Sequence, residues 1–181
     1  MFPAVESPMM ATMAATVFGI QTWFTGENNL DHILHGVYVG NIAAAQDLSA
    51  LQYHGITNVV AATQFGEGAR FHPDNLGYHV VNINDLPEEP IGGALDTAVA
   101  YIEDARRTGR VLVHCNAGRS RSATIVAAWL LATGRATTVD RALTTIQLYR
   151  EGIRPNPGFV QQLRDWFTRL QERDTPRYRW R

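Results

Sequence analysis

A chain of 181 residues with 45% hydrophobic and 18% charged residues is long and apolar enough for one soluble globular domain with a proper core. Its net charge of −1 argues against general attraction to nucleic acid or to membrane surfaces. The single cysteine excludes an internal disulfide and points to a reducing compartment, the cytoplasm.

In chain order, residues 1–27 read as a flexible N-terminal extension. Met1 to Thr25 is rich in Met, Ala and Thr and lacks the basic start of a signal peptide. The apolar stretches at Met9 to Ile20 and around Trp129 are too short and interrupted for stable insertion into a membrane. The folded unit is expected over 28–172. Gly36 to Asn41 is a short β-like run, and Ile42 to Tyr53 reads as one helix ended near Gly55. Ile56 to Ala62 is a second strand, and Thr63 to Gly77, with its glycines, Pro73 and Asn75, is a loop. Tyr78 to Ile83 is a third strand. Ile91 to Thr108 places Leu95, Val99 and Ile102 on one helical face, with Asp96, Glu103 and Arg106 elsewhere.

Val111 to Ser122 reads as a strand, a loop and the start of a helix. The helix continues through Ala123 to Thr133 and is stopped by Gly134. Thr138 to Glu151 and Gly158 to Gln171 are further helices, split by the breaker segment Gly152 to Gly158, and 173–181 is a polar tail. Strands alternating with helices predict a single α/β domain, its central, mostly parallel sheet flanked by helices and its site at the carboxyl ends of the strands.

One loop lies at such an end, Cys115-Asn-Ala-Gly-Arg-Ser-Arg121. The first amides of a helix have no intrahelical partner, and the helix dipole places partial positive charge there. Amides of residues 116–121 with the planar fork of Arg121 suit a tetrahedral oxyanion. The same field favours a thiolate on Cys115, so the loop brings a nucleophile to its electrophile. The plainer reading of Cys115 is a small hydrophobe closing a strand, but arginines and Gly118 directly after it do not suit a core.

The pattern Cys-x5-Arg followed by Ser resembles the signature of the cysteine-dependent protein tyrosine phosphatase superfamily. His114-Cys115-x-x-Gly118-x-Ser120-Arg121-Ser122 is similar to its dual-specificity branch. The resemblance extends to Val37 to Asn41, Gly55 to Val60 and Arg154 to Phe159, covering roughly residues 30–170. It implies a protein tyrosine phosphatase-like fold and hydrolysis of phosphate monoesters through a cysteinyl-phosphate, on phosphotyrosine and phosphoserine or phosphothreonine in proteins. It also implies that no metal or other cofactor is required.

Expulsion of an alkoxide needs a positioned acid, and Asp85, after the third strand, resembles the family's general acid. Glu88, Glu89 and Asp74 are its rivals, and a turn or helix-cap role is its plainer reading. Ser122 is expected to bond the departing thiolate, or to cap the helix. His114 is expected to orient the loop through a backbone carbonyl, with a further role in stabilising the thiolate. Asn116, Ala117, Gly118, Arg119 and Ser120 complete the phosphate loop, with Arg119 turned to solvent or to the rim. An acid that must be protonated beside an ionised nucleophile predicts a bell-shaped pH profile. Two alternatives stand. Residues 114–128 are also similar to lipid phosphatases acting on phosphatidylglycerophosphate, and a non-catalytic phospho-ligand module would use the same loop.

Overall fold

The computed structural model describes residues 29–173; the extension at 1–27 and nearly all of the tail at 173–181 lie outside the described residues. Five strands form one mixed sheet in the order β1-β2-β5-β3-β4. They are β1 (Leu30–Leu34), β2 (Val37–Gly40), β3 (Ile56–Thr63), β4 (Gly77–Asn82) and β5 (Arg110–His114). All neighbours are parallel except β1, which pairs with β2 as an antiparallel hairpin. Its two-residue turn uses His35 and Gly36, both at positive φ, the backbone that matches strand twist.

Successive side chains of a strand point to opposite faces, and here they divide between two apolar layers. Val37, Val39, Val60, Ala62, Val111 and Val113 face the helices α3 (Leu95–Ala105), α4 (Arg121–Ala132), α5 (Val139–Gln147) and α6 (Pro157–Glu172). Tyr38, Val59, Ala61 and Leu112 face a smaller layer that includes Ala45 of α1 (Ile42–Gln46) and Leu51 of α2 (Leu48–Tyr53). Coverage on both faces explains why the inner parts of β3 and β5, residues 59–62 and 111–113, are continuous apolar runs. Helix α4 is apolar on every side after Thr124, and 11 of its 12 residues are buried.

Four expectations need correction. Ile42 to Tyr53 is two helices, because Asp47 leaves the helical region (φ −89, ψ 89) and caps α2 by accepting from Ala50 N–H. Ile91 to Ala94 forms a 3₁₀ turn before α3 begins. Helix α5 ends at Gln147 rather than Glu151, and Arg150 beyond it reaches to other segments. Glu103 faces inward at 3% exposure, accepting from Trp129 Nε1 at 2.6 Å and from Arg106 Nε and Nη2 at 2.6 and 2.8 Å.

Candidate active site

Strand β5 is the middle of the sheet, and the loop from Cys115 to Ser120 carries its carboxyl end into α4. Gly118 sits at φ +65, and a Cβ there would come within 2.5 Å of the Gly40 carbonyl oxygen. Only glycine fits that combination. The loop's carbonyls are drawn outward one after another. That of Asn116 accepts from Ile42 N–H (3.1 Å), that of Gly118 from Arg150 Nε (2.8 Å), and that of Arg119 from Arg154 N–H (2.8 Å). Arg150 Nη2 also approaches the Ala117 carbonyl at 3.5 Å, and its Nη1 is ion-paired to Asp31. With the carbonyls held outside, the N–H groups are left to the inside of the loop.

Cys115 is the group they surround. Burial alone would push its thiol up. The Ser122 hydroxyl 3.3 Å from Sγ, the amides of Ser122 and Arg119 and the charge of Arg121 outweigh burial, so the thiol lies below its ordinary value. Ser120 occupies the N-cap position of α4 but makes no side-chain cap bond, which leaves the helix's first amides open to an anion. Arg121 is 4% exposed and donates Nη1 to the Ile83 carbonyl (3.1 Å) and to Gln64 Oε1 (3.2 Å), which holds its fork in one plane.

His114 is fully buried, and neither ring nitrogen finds a hydrogen-bond partner among the described residues. Burial, against the opposing pull of the Cys115 backbone and with Arg121 on its side, brings it down to about 4. A neutral imidazole at neutral pH cannot lend positive charge to the thiolate, and the backbone of Cys115 is the group that acts on the ring in the opposite sense, favouring its protonated form. Asn116 Nδ2 contacts Gln64 Oε1 at 3.5 Å, and Arg119 lies at the exposed rim with Nε bonded to the Gly152 carbonyl at 2.7 Å.

Asp85 lies three residues beyond β4, and its Oδ2 stands 3.8 Å from Arg121 Nε. Its Oδ1 accepts from Ser120 Oγ at 2.6 Å and from Asn156 Nδ2 at 2.8 Å. Among its rivals, Glu89 is held by Asn84 Nδ2 at 2.8 Å. The segment after Asp85 rests on the first turns of α6. Gln162 Nε2 donates to the Glu89 carbonyl (2.8 Å), its Oε1 accepts from Gly92 N–H (3.0 Å), and a Cβ on Gly158 would overlap the Pro87 carbonyl. The structure thus gathers Cys115, Arg121, Ser122 and Asp85 at one point and adds Gln64, Arg150, Asp31 and Asn156, which sequence reasoning missed. Of these only Asn156 carried a local signal, as an Asn directly before a helix-starting proline. Among the described residues there is no group of His, Cys, Asp and Glu able to hold a metal ion.

Residues 37–169 match the family profile "Dual specificity phosphatase, catalytic domain". Dual specificity protein phosphatase 1 of Arabidopsis thaliana is 33% identical over 159 residues, covering 87% of this chain and 79% of that protein. Human dual specificity protein phosphatase 13B is 37% identical over 158 residues, covering 83% and 78%. In three dimensions, the human tyrosine phosphatase-like serine/threonine/tyrosine-interacting protein superposes with a TM-score of 0.73 at 33% identity, covering 78% of this chain and 97% of that one.

Proposed function

The chain belongs to the dual specificity phosphatase family, whose members are cysteine-dependent protein phosphatases, and from that premise we propose which of its residues carry each step. The Cys115 thiolate attacks phosphorus while the loop amides and Arg121 hold the equatorial oxygens. As the S–P bond forms the ester P–O bond breaks, and Asp85 gives its proton to the departing oxygen. In the second half a water attacks the cysteinyl-phosphate and passes a proton to the Asp85 carboxylate. The S–P bond breaks, and the thiolate returns to the Ser122 hydroxyl and the loop amides. The observation that carries this reading is the outward tethering of the loop carbonyls, which leaves the amides around a sulfur whose thiol is already lowered.

Phosphorylated peptide segments are the proposed substrates. Beside the site, Phe65 follows Gln64 and Leu86 follows Asp85, at 50% and 47% exposure, and such apolar side chains suit the residues flanking a phosphorylated side chain in a peptide. The test is phosphate release in the presence of a chelator, with Cys115→Ser as blank. The panel is phosphotyrosine and phosphothreonine peptides, phosphatidylglycerophosphate and 5′-triphosphate RNA. Chelator-resistant, Cys115-dependent turnover that favours the peptides is the expected result. A preference for the lipid would replace the substrate, and turnover equal to the blank throughout would remove the catalytic roles.

A further inference from the structure

Asn156 joins three parts of the molecule. Its Oδ1 accepts from Phe159 N–H at 2.9 Å as the N-cap of α6, and its Nδ2 donates to Asp85 Oδ1 at 2.8 Å. Its backbone N–H donates to Ser120 Oγ at 3.2 Å, and that hydroxyl in turn donates to the same Asp85 Oδ1 at 2.6 Å. The cap decides which way the amide is turned: the carbonyl oxygen must face the Phe159 N–H, so the NH₂ group must face Asp85. Both lone pairs of Oδ1 are then occupied by donors, whereas Oδ2 lies toward Arg121.

We propose that Asn156 is a positioning residue which, with Ser120, fixes the Asp85 carboxyl so that its transferable proton is carried on Oδ2 and aimed into the phosphate cradle. The proposal rests on Asp85 being the general acid. An oxygen that receives two donors cannot also bear the acid proton without losing one of them. When the Oδ2–H bond breaks, its proton joins the leaving oxygen and its electron pair stays on the carboxylate. The new charge is met at Oδ1 by the Ser120 hydroxyl and the Asn156 amide already in place. Because Ser120 directly precedes Arg121, the acid takes its orientation from the loop that binds the phosphate.

The test is Asn156→Ser in the full chain. Serine preserves a cap oxygen for α6 but is too short to reach Asp85. kcat/KM is measured for a series of aryl phosphates running from dinitrophenyl phosphate, whose leaving group needs no proton, to phenyl phosphate, whose leaving group does. Asp85→Asn is run beside it. The expected result is a loss on phenyl phosphate that exceeds the loss on dinitrophenyl phosphate by about tenfold. A loss equal on both esters, or none, while Asp85→Asn shows the leaving-group dependence, would overturn the positioning role alone. If Asp85→Asn shows no such dependence, the acid assignment falls and takes the proposal with it. Should Asn156→Ser not fold, Ser120→Ala decides by the same split, whose absence would overturn the proposal.

Discussion

Cys115 is buried, yet its thiol is lowered, because donors and a guanidinium favour the thiolate by more than burial disfavours it. As the chain has one cysteine, alkylation followed by mass spectrometry reports this group alone. Its pH midpoint is expected below the ordinary 9.0, and Ser122→Ala should move it upward. A midpoint unmoved by that change would take the hydroxyl out of thiolate stabilisation. His114 behaves in the opposite manner. Burial, with Arg121 in the same direction, lowers it from 6.5 to about 4, so the folded state binds fewer protons than the unfolded one in that interval. Stability is therefore complete above the unfolded value of 6.5 and falls as the pH drops toward 4, by roughly 3 kcal/mol at most. Urea unfolding between neutral pH and pH 4 should show that slope, and in His114→Gln it should flatten.

The loop from Cys115 to Ser120 depends on Gly118 for its shape. In Gly118→Ala the side chain meets the Gly40 carbonyl at 2.5 Å, at a φ of +65 that alanine disfavours. We expect destabilisation of about 2 kcal/mol by urea unfolding and a far larger proportional loss of turnover, since the loop must deform to admit the methyl group. The unit from β5 through this loop into α4 was legible because its signals are local: an apolar run, a glycine, then a helix-forming stretch. Strand β1 was not, because only Ile33 of its five residues is fully buried and the strand exists by pairing with β2. The break at Asp47 was hidden inside alanine-rich helical sequence, although Asp followed three residues later by the amide it caps is a start signal in hindsight.

At the scale of the whole molecule, the sequence does not show which distant segments meet. Asp31 and Arg150 are 119 positions apart, and Asp85 and Asn156 are 71 apart. No periodicity encodes either pair, so the support of the loop and of Asp85 became visible only in three dimensions. Glu103 is a further case: periodicity only set it apart from Leu95, Val99 and Ile102, whereas in three dimensions Trp129, Arg106 and Arg135 surround it. Glu103→Ala leaves an indole N–H and the Arg106 guanidinium without their acceptor, and Arg135 without its counter-charge. It should cost about 3–5 kcal/mol, read by urea unfolding. A cost below about 1 kcal/mol would show that water replaces the carboxylate.

The burial of α4 on every side also bears on how the enzyme responds to its ionic surroundings. Mobile ions screen the charges they can approach, over about 8 Å at physiological ionic strength. The open amides at the start of α4 and the guanidinium of Arg121, at 4% exposure, act instead at contact distance from a wall of packed side chains, with little screening solvent between them and an anion seated in the loop. The attraction proposed to hold a phosphate dianion at the bottom of the loop is thus a short-range property of the fold. Added sodium chloride should weaken competitive inhibition by inorganic phosphate far less than it weakens the encounter with a highly charged peptide.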